Sequence, residues 1–149
     1  FSTQVTDLDN IQNPSIHSLL SSKYHEAQMY QLNIHAEIPD PVIHSYLTDL
    51  DLAVVLGHLM NNAIDGARKA SEGFISLAYF DEEDCQSFII ESTIAEEQVP
   101  LSMMSTQLSH PEGGIGVNAV QDILERYPNT SFSVRSQNRK MMQILEMRP

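Results

Sequence analysis

The sequence has no tryptophan and a single cysteine, Cys85. One thiol closes no internal disulfide and has no partner at ligand spacing, which excludes a disulfide scaffold and a cysteine-based zinc site. Basic residues are scarce: 8 Lys and Arg stand against 20 Asp and Glu, a net charge of −12. Such a chain repels polyanions, which argues against a nucleic-acid partner or an anionic membrane surface. No apolar run approaches the ~20 residues that span a bilayer, and no signal peptide is visible. What is present is 149 residues, 42% of them hydrophobic, enough for one domain with a real core. The chain opens on Phe1 rather than Met, as expected of a fragment cut from a longer protein.

Residues 1–12 have no strong period and read as the end of a linker, leaving 13–149 as the folded domain. Asn13 is a good N-cap and Pro14 suits a first helical position. Ile16, Leu19, Leu20, Tyr24 and Ala27 follow at helical spacing. The alternation of Ile34, Ala36 and Ile38 predicts a short strand, broken by "PDP" at 39–41. A second helix is predicted from about Thr48 to Ala70, with Thr48 and Asp51 as a capping-box variant. "GFISLAYF" and "CQSFIIEST" read as an antiparallel hairpin. Residues 94–113 keep no period, a length of loop that is often functional. "GIGVNAVQDILERY" then reads as a third helix, and a second hairpin with a turn near Asn138 closes the chain. This order predicts an α+β two-layer sandwich, a mixed β-sheet with helices on one face.

The stretch "LGHLMNNAIDGA", residues 56–67, is the chemical anomaly. On a helical wheel Leu52, Leu56, Leu59, Met60, Ala63, Ile64 and Ala67 share one broad arc, the core face. His58, Asn61, Asn62, Asp65 and Gly66 share the opposite arc. A solvated helix face is ordinarily filled with Lys, Glu and Arg, which favour helix. Short amides, an imidazole and a short carboxylate suit a face that a ligand must approach closely. An amide oxygen is also a neutral, hard ligand suited to Mg²⁺. On spacing alone, a plain solvated face and a ligand face stand about even. A second cue is "GGIGVNAV", with Gly113, Gly114 and Gly116 leading into a helix. Glycines admit a close backbone approach, and helix N-termini offer free N–H groups to anions.

Together these segments resemble the GHKL ATPases (the Bergerat fold). "LGHLMNNAIDGA" looks like that superfamily's N box and "GGIGVNAV" like its glycine-rich box at the lid end. "LDNIQNPSIHSLLSSKYHEA", "DLAVVLGHLMNNAIDGA" and "IIESTI" are similar to the Gram-positive peptide-pheromone (quorum-sensing) sensor histidine kinases. The resemblance covers roughly residues 8–147. It implies an ATP-binding catalytic domain that transfers the γ-phosphate to a histidine on a separate dimerisation domain. Asn62 would be the Mg²⁺ ligand. Asn61, Asp65 and Gly66 would line the nucleotide pocket, and Ser92 would stand where adenine is recognised. Gly113, Gly114, Ile115, Gly116 and Val117 would admit the phosphates, and His58 would occupy a base position. The implied partners are the chain's own phosphoacceptor domain and a response regulator. The implied parent is a homodimeric, membrane-anchored bacterial sensor with this domain in the cytoplasm.

The chain departs from the family pattern at several places. His58 replaces a common Asn or Glu, Ser92 replaces Asn or Asp, and Glu112 replaces a glycine. Between Lys69 and Arg126 there is no Lys or Arg, so the proposed lid lacks a cation to neutralise phosphate. Only His110, Arg68 and Lys69 are candidates for that task. These departures imply weak nucleotide binding. They also keep open a second reading, a kinase-derived domain acting by protein contact.

Overall fold

The computed structural model describes residues 7–97 and 116–149. Three helices, α1 (Pro14–Met29), α2 (Asp49–Lys69) and α3 (Gly116–Leu124), pack with strands β1 (Asn33–Glu37), β2 (Phe74–Glu82), β3 (Cys85–Thr93), β4 (Thr130–Gln137) and β5 (Lys140–Met147). The strands form one sheet in the order β1-β2-β3-β5-β4. β1 runs parallel to β2, and the other three pairings are antiparallel. A parallel pair needs a long crossover, and α2 supplies it. The result is the expected α+β sandwich with a mixed sheet. None of the described helices is long and apolar enough to cross a membrane.

Local chemistry sets the helix starts. The Asn13 side-chain oxygen accepts from the amides of Ser15 and Ile16, with Pro14 at the first helical position. The same Asn13 donates to Asp49 Oδ1 at 2.6 Å, which ties the start of α1 to the start of α2. Thr48 caps α2 by accepting from the Asp51 amide at 3.2 Å. The capping box is completed differently from the sequence pattern. The Asp51 carboxylate turns to Tyr127 and Arg126, and the Thr48 amide donates to the Tyr127 hydroxyl. The two antiparallel hairpins turn through residues at positive φ, Asp84 in the first and the pair Asn138–Arg139 in the second. Two consecutive positive-φ residues give a two-residue turn whose twist matches the strands.

Alternate residues of β2, β3 and β5 enter the core: Ile75, Leu77 and Tyr79; Gln86, Phe88, Ile90 and Ser92; Met141, Gln143, Leu145 and Met147. Leu52, Leu56, Leu59, Met60, Ala63, Ile64 and Ala67 of α2 close over them, as the wheel predicts. Residues 7–12, read from the sequence as linker, also reach the core. Leu8 and Ile11 are buried, Ile11 bridges to Val42, and Asn10 donates to the Ile38 carbonyl.

Tyr79 stacks edge-on against Phe88, yet its buried hydroxyl has no partner among the described residues. A buried donor without an acceptor costs about 1–3 kcal/mol. Tyr79→Phe should therefore raise stability by about 1 kcal/mol, or roughly 2–4 °C in Tm. Thermal unfolding checks this, and a fall in Tm would show that the hydroxyl is paired.

Candidate functional site

The polar stripe of α2 is half-buried rather than solvated: His58, Asn61, Asn62, Asp65 and Gly66 are each partly covered. The structure divides the stripe. Asn62 and Gly66 lie on the flank that meets β3 and β5. Asn62 Nδ2 donates to Gln143 Oε1 of β5 at 3.4 Å, and Gln143 Nε2 donates to the Leu59 carbonyl of α2 at 3.0 Å. A Cβ on Gly66 would stand 3.0 Å from Ile94 Cγ2 and 3.4 Å from the Thr93 carbonyl oxygen. This helical glycine, costly to helix stability, is what lets α2 approach the end of β3.

Ser92 sits at that end of β3, fully buried on the helix-facing side, its hydroxyl without a partner among the described residues. The register pairs Ser92 with Met141 and Ile90 with Gln143, so Ser92 and Gln143 are diagonal neighbours on one face. Asn62, Gly66, Ser92 and Gln143 thus form one cluster where α2 crosses β3 and β5. The chain leaving β3 is held to the second hairpin turn. The Ile94 amide donates to the Arg139 carbonyl, the Arg139 amide to the Glu97 carbonyl, and Arg139 Nη1 to the Ala95 carbonyl.

His58, one turn before Asn62, has a different surrounding. Burial first, and then the Lys23 ammonium of α1, hold its imidazole below the usual histidine range. His58 is therefore neutral at pH 7 and has a lone pair to offer. A depressed histidine contributes stability above the unfolded value of about 6.5, and that contribution is lost as pH falls through the folded value. An NMR titration should place the His58 midpoint below about 6.5. Lys23→Gln should raise it only part of the way, because burial is the larger cause. A midpoint unmoved by that substitution would remove Lys23 from the account.

Of the cations expected to substitute in the missing basic lid, Arg68 is committed elsewhere, Lys69 is not, and His110 lies outside the described residues. Arg68 lies over the Tyr30 ring at 3.8 Å, on the α1 side. Arg126 pairs with Asp51 at 3.2 Å. The Tyr127 hydroxyl bond at 2.6 Å, helped by Thr48 and Arg126, holds the Asp51 carboxyl below the usual carboxylate range. Lys69 is exposed at the end of α2.

Gly116 and Val117 form the first turn of α3. Gly113, Gly114 and Ile115 lie outside the described residues, as do Met103, Met104, His110 and Glu112. Two features escape sequence reading: Gln143 in the cluster, and the Asp51–Arg126–Tyr127 contact at the start of α2. The available signal for Gln143 was a lone polar residue in the alternation Met141, Gln143, Leu145, Met147.

Comparison with known proteins gives the following matches. A family model described as the GHKL domain matches residues 47–148. The catalytic domain of the histidine kinase ThkA superposes with a TM-score of 0.74 at 13% identity, covering 91% of this chain and 92% of that one. The mycobacterial sensor histidine kinase MprB gives 0.68 at 11% identity, covering 90% and 93%. The Acinetobacter baumannii histidine kinase AdeS gives 0.68 at 13% identity, covering 90% of this chain and 62% of that one. At these identities the likeness is one of fold. No curated protein shows a significant sequence match.

Proposed function

The chain belongs to the GHKL domain family, and from that membership we propose that it is the ATP-binding catalytic domain of a two-component sensor histidine kinase. In this reading it passes the γ-phosphoryl group of ATP to a histidine on a separate dimerisation domain. Residues 1–12 lead from that domain into the catalytic unit, and 7–12 of them already pack on its core. The parent is a homodimeric, membrane-anchored sensor of the Gram-positive peptide-pheromone type, with this domain in the cytoplasm and a response regulator as the next acceptor.

The observation that carries the reading is the amide of Asn62. Its nitrogen is used by Gln143, and its oxygen has no partner among the described residues. Mg²⁺ takes one or two protein oxygens and completes its shell with water and phosphate, so one free amide oxygen fits the ion. The orphaned hydroxyl of Ser92 fits a purine edge, being able either to donate or to accept. Gly66 keeps the α2 surface low beside them. Bound Mg²⁺ supplies charge neutralisation across the phosphates. Asn62 holds the metal end of the nucleotide, Ser92 meets the base, and Asn61 and Asp65 border the pocket. Gly113, Gly114, Ile115, Gly116 and Val117 are the segment assigned to phosphate binding. His58, neutral at pH 7, stands ready to accept a proton from the attacking imidazole.

The affinity should be low, because residues 70–125 contain no Lys or Arg. Calorimetric titration with ADP and a non-hydrolysable ATP analogue, with and without Mg²⁺, tests the proposal. Mg²⁺-dependent binding at micromolar to low-millimolar strength is the expected result. No heat and no thermal shift at millimolar nucleotide would leave a kinase-derived fold that works through protein contact.

A further inference from the structure

We infer that Gln143 is a positioning residue that fixes which atom of Asn62 is offered to a ligand, making this flank of α2 a cation-accepting surface. The inference rests on the reading of Asn62 as the metal-side residue of a nucleotide site. It starts from the Leu59 carbonyl. A carbonyl oxygen only accepts, so the Gln143 atom 3.0 Å from it must be the amide nitrogen. The other end of that amide, Oε1, is then turned away from Leu59 and can only accept. The Asn62 atom facing it at 3.4 Å must in turn be the nitrogen. Asn62 Oδ1 is left pointing away from Gln143, without a partner among the described residues. Two amides in series thus carry the polarity of one helix carbonyl to the site.

The arrangement depends on burial. Gln143 is fully buried on the helix-facing side of β5, where an amide that lost its partners would be costly. Reversing Gln143 would set its oxygen against the Leu59 oxygen and its nitrogen against the Asn62 nitrogen, two repulsive contacts for two attractive ones. The 3.4 Å bond to Asn62 is long for an amide pair. It is suited to selecting an orientation rather than to clamping the half-buried Asn62 side chain. Without Gln143 the Asn62 amide could present either end, and the nitrogen end repels a cation. The order is set in the folded chain before any ligand arrives, so part of the ordering entropy is met in advance.

The test uses Gln143→Met, which keeps length and apolar packing and removes both hydrogen bonds. ADP is titrated into the wild-type chain, Gln143→Met, Asn62→Ala and the double variant, each with Mg²⁺ and with EDTA. Gln143→Met should weaken binding roughly tenfold with Mg²⁺, leave binding in EDTA unchanged, and add nothing to Asn62→Ala. An equal loss with and without Mg²⁺, or additivity with Asn62→Ala, would reduce Gln143 to a packing residue and overturn the inference. A second measurement needs no variant. The side-chain amide of Asn62 should show slowed hydrogen exchange relative to Asn138, which sits exposed in the second hairpin turn. Exchange as fast as that of Asn138 overturns the inference while leaving the nucleotide site intact. A wild-type chain whose ADP affinity ignores Mg²⁺ removes the metal reading of Asn62, and the positioning role falls with it even if the amide is held.

Discussion

Asn62→Asp is expected to abolish Mg²⁺-dependent nucleotide binding while lowering the melting temperature by only a few degrees. By size the change is nearly isosteric. The chemistry is opposite on two sides. Aspartate has no amide hydrogen to give to Gln143 Oε1, and Gln143 cannot turn round, since its nitrogen is held by the Leu59 carbonyl. One carboxylate oxygen would face an amide oxygen and swing away from it. The new negative charge would also stand near the phosphates of the ligand, on a chain that already carries −12. Losing a charge-assisted contact of this kind is worth about 1.5–3 kcal/mol, or roughly 10–100-fold in Kd. Water can solvate a carboxylate at this half-buried position, so the folding cost is mainly that of leaving the buried Gln143 Oε1 without its donor, about 1 kcal/mol or roughly 2–4 °C in Tm. Calorimetry and thermal melting on the same sample separate the two effects. Wild-type affinity in Asn62→Asp would remove Asn62 from the nucleotide site.

How much of this was legible in the sequence depends on the length of each pattern. α2 carries 21 residues of sustained period, so its core face can be read directly, and the short amides stand out against it. The bounds of β3, Cys85–Thr93, were legible to the residue, but its buried face was not, because that face carries polar Gln86 and Ser92 beside Phe88 and Ile90. The segment 7–12 was not. Leu8 and Ile11 are two apolar residues three apart, too few to set a period, and they are buried by the long-range pairing of Ile11 with Val42. Gln143 was invisible for a related reason. Its spacing places it on the inner face of β5, but only the sheet order, which sets β5 beside β3 under α2, shows that it meets Leu59 and Asn62. A wheel likewise groups His58 with Asn62. It takes the packed position of α1, with Lys23, to show that the two side chains have different neighbours. Arg68 reads as a spare cation until Tyr30 is seen beneath it. Local period reveals which residues share a face. What each then touches is a long-range fact.

Gly73→Ala should be the most damaging single-methyl change in the described part of the fold. Gly73 lies between the end of α2 and β2, and its carbonyl accepts from the Asn33 amide at 2.9 Å, joining the start of β1 to this corner. No positive φ is involved, so conformational freedom is not the reason for glycine here. Space is. An added Cβ would overlap Leu32 Cδ2 and stand 2.9 Å from the Ala67 carbonyl oxygen. The leucine methyl is the end of a flexible side chain and can rotate away. The carbonyl belongs to the last turn of α2, where it already accepts from the Ala70 amide at 3.2 Å, and it can move only with the helix. Overpacking of this kind costs about 1–3 kcal/mol, and a backbone obstacle argues for the upper end, a fall in Tm of roughly 5–10 °C. Leu32→Ala added to Gly73→Ala should recover little, because it clears the methyl and leaves the carbonyl. Full recovery in the double variant would show that the side chain alone was the obstacle. The damage should also reach the site. Ala67 directly follows Gly66, so a last turn pushed outward lifts Gly66 off Ile94 and loosens the cluster that Asn62 shares with β3 and β5. At a temperature where Gly73→Ala is still folded, nucleotide affinity should therefore fall by a few-fold as well, with and without Mg²⁺ alike. That pattern differs from the strictly Mg²⁺-dependent loss expected of Asn62→Asp, so the two variants measured together distinguish a displaced helix from a misdirected, charged ligand group.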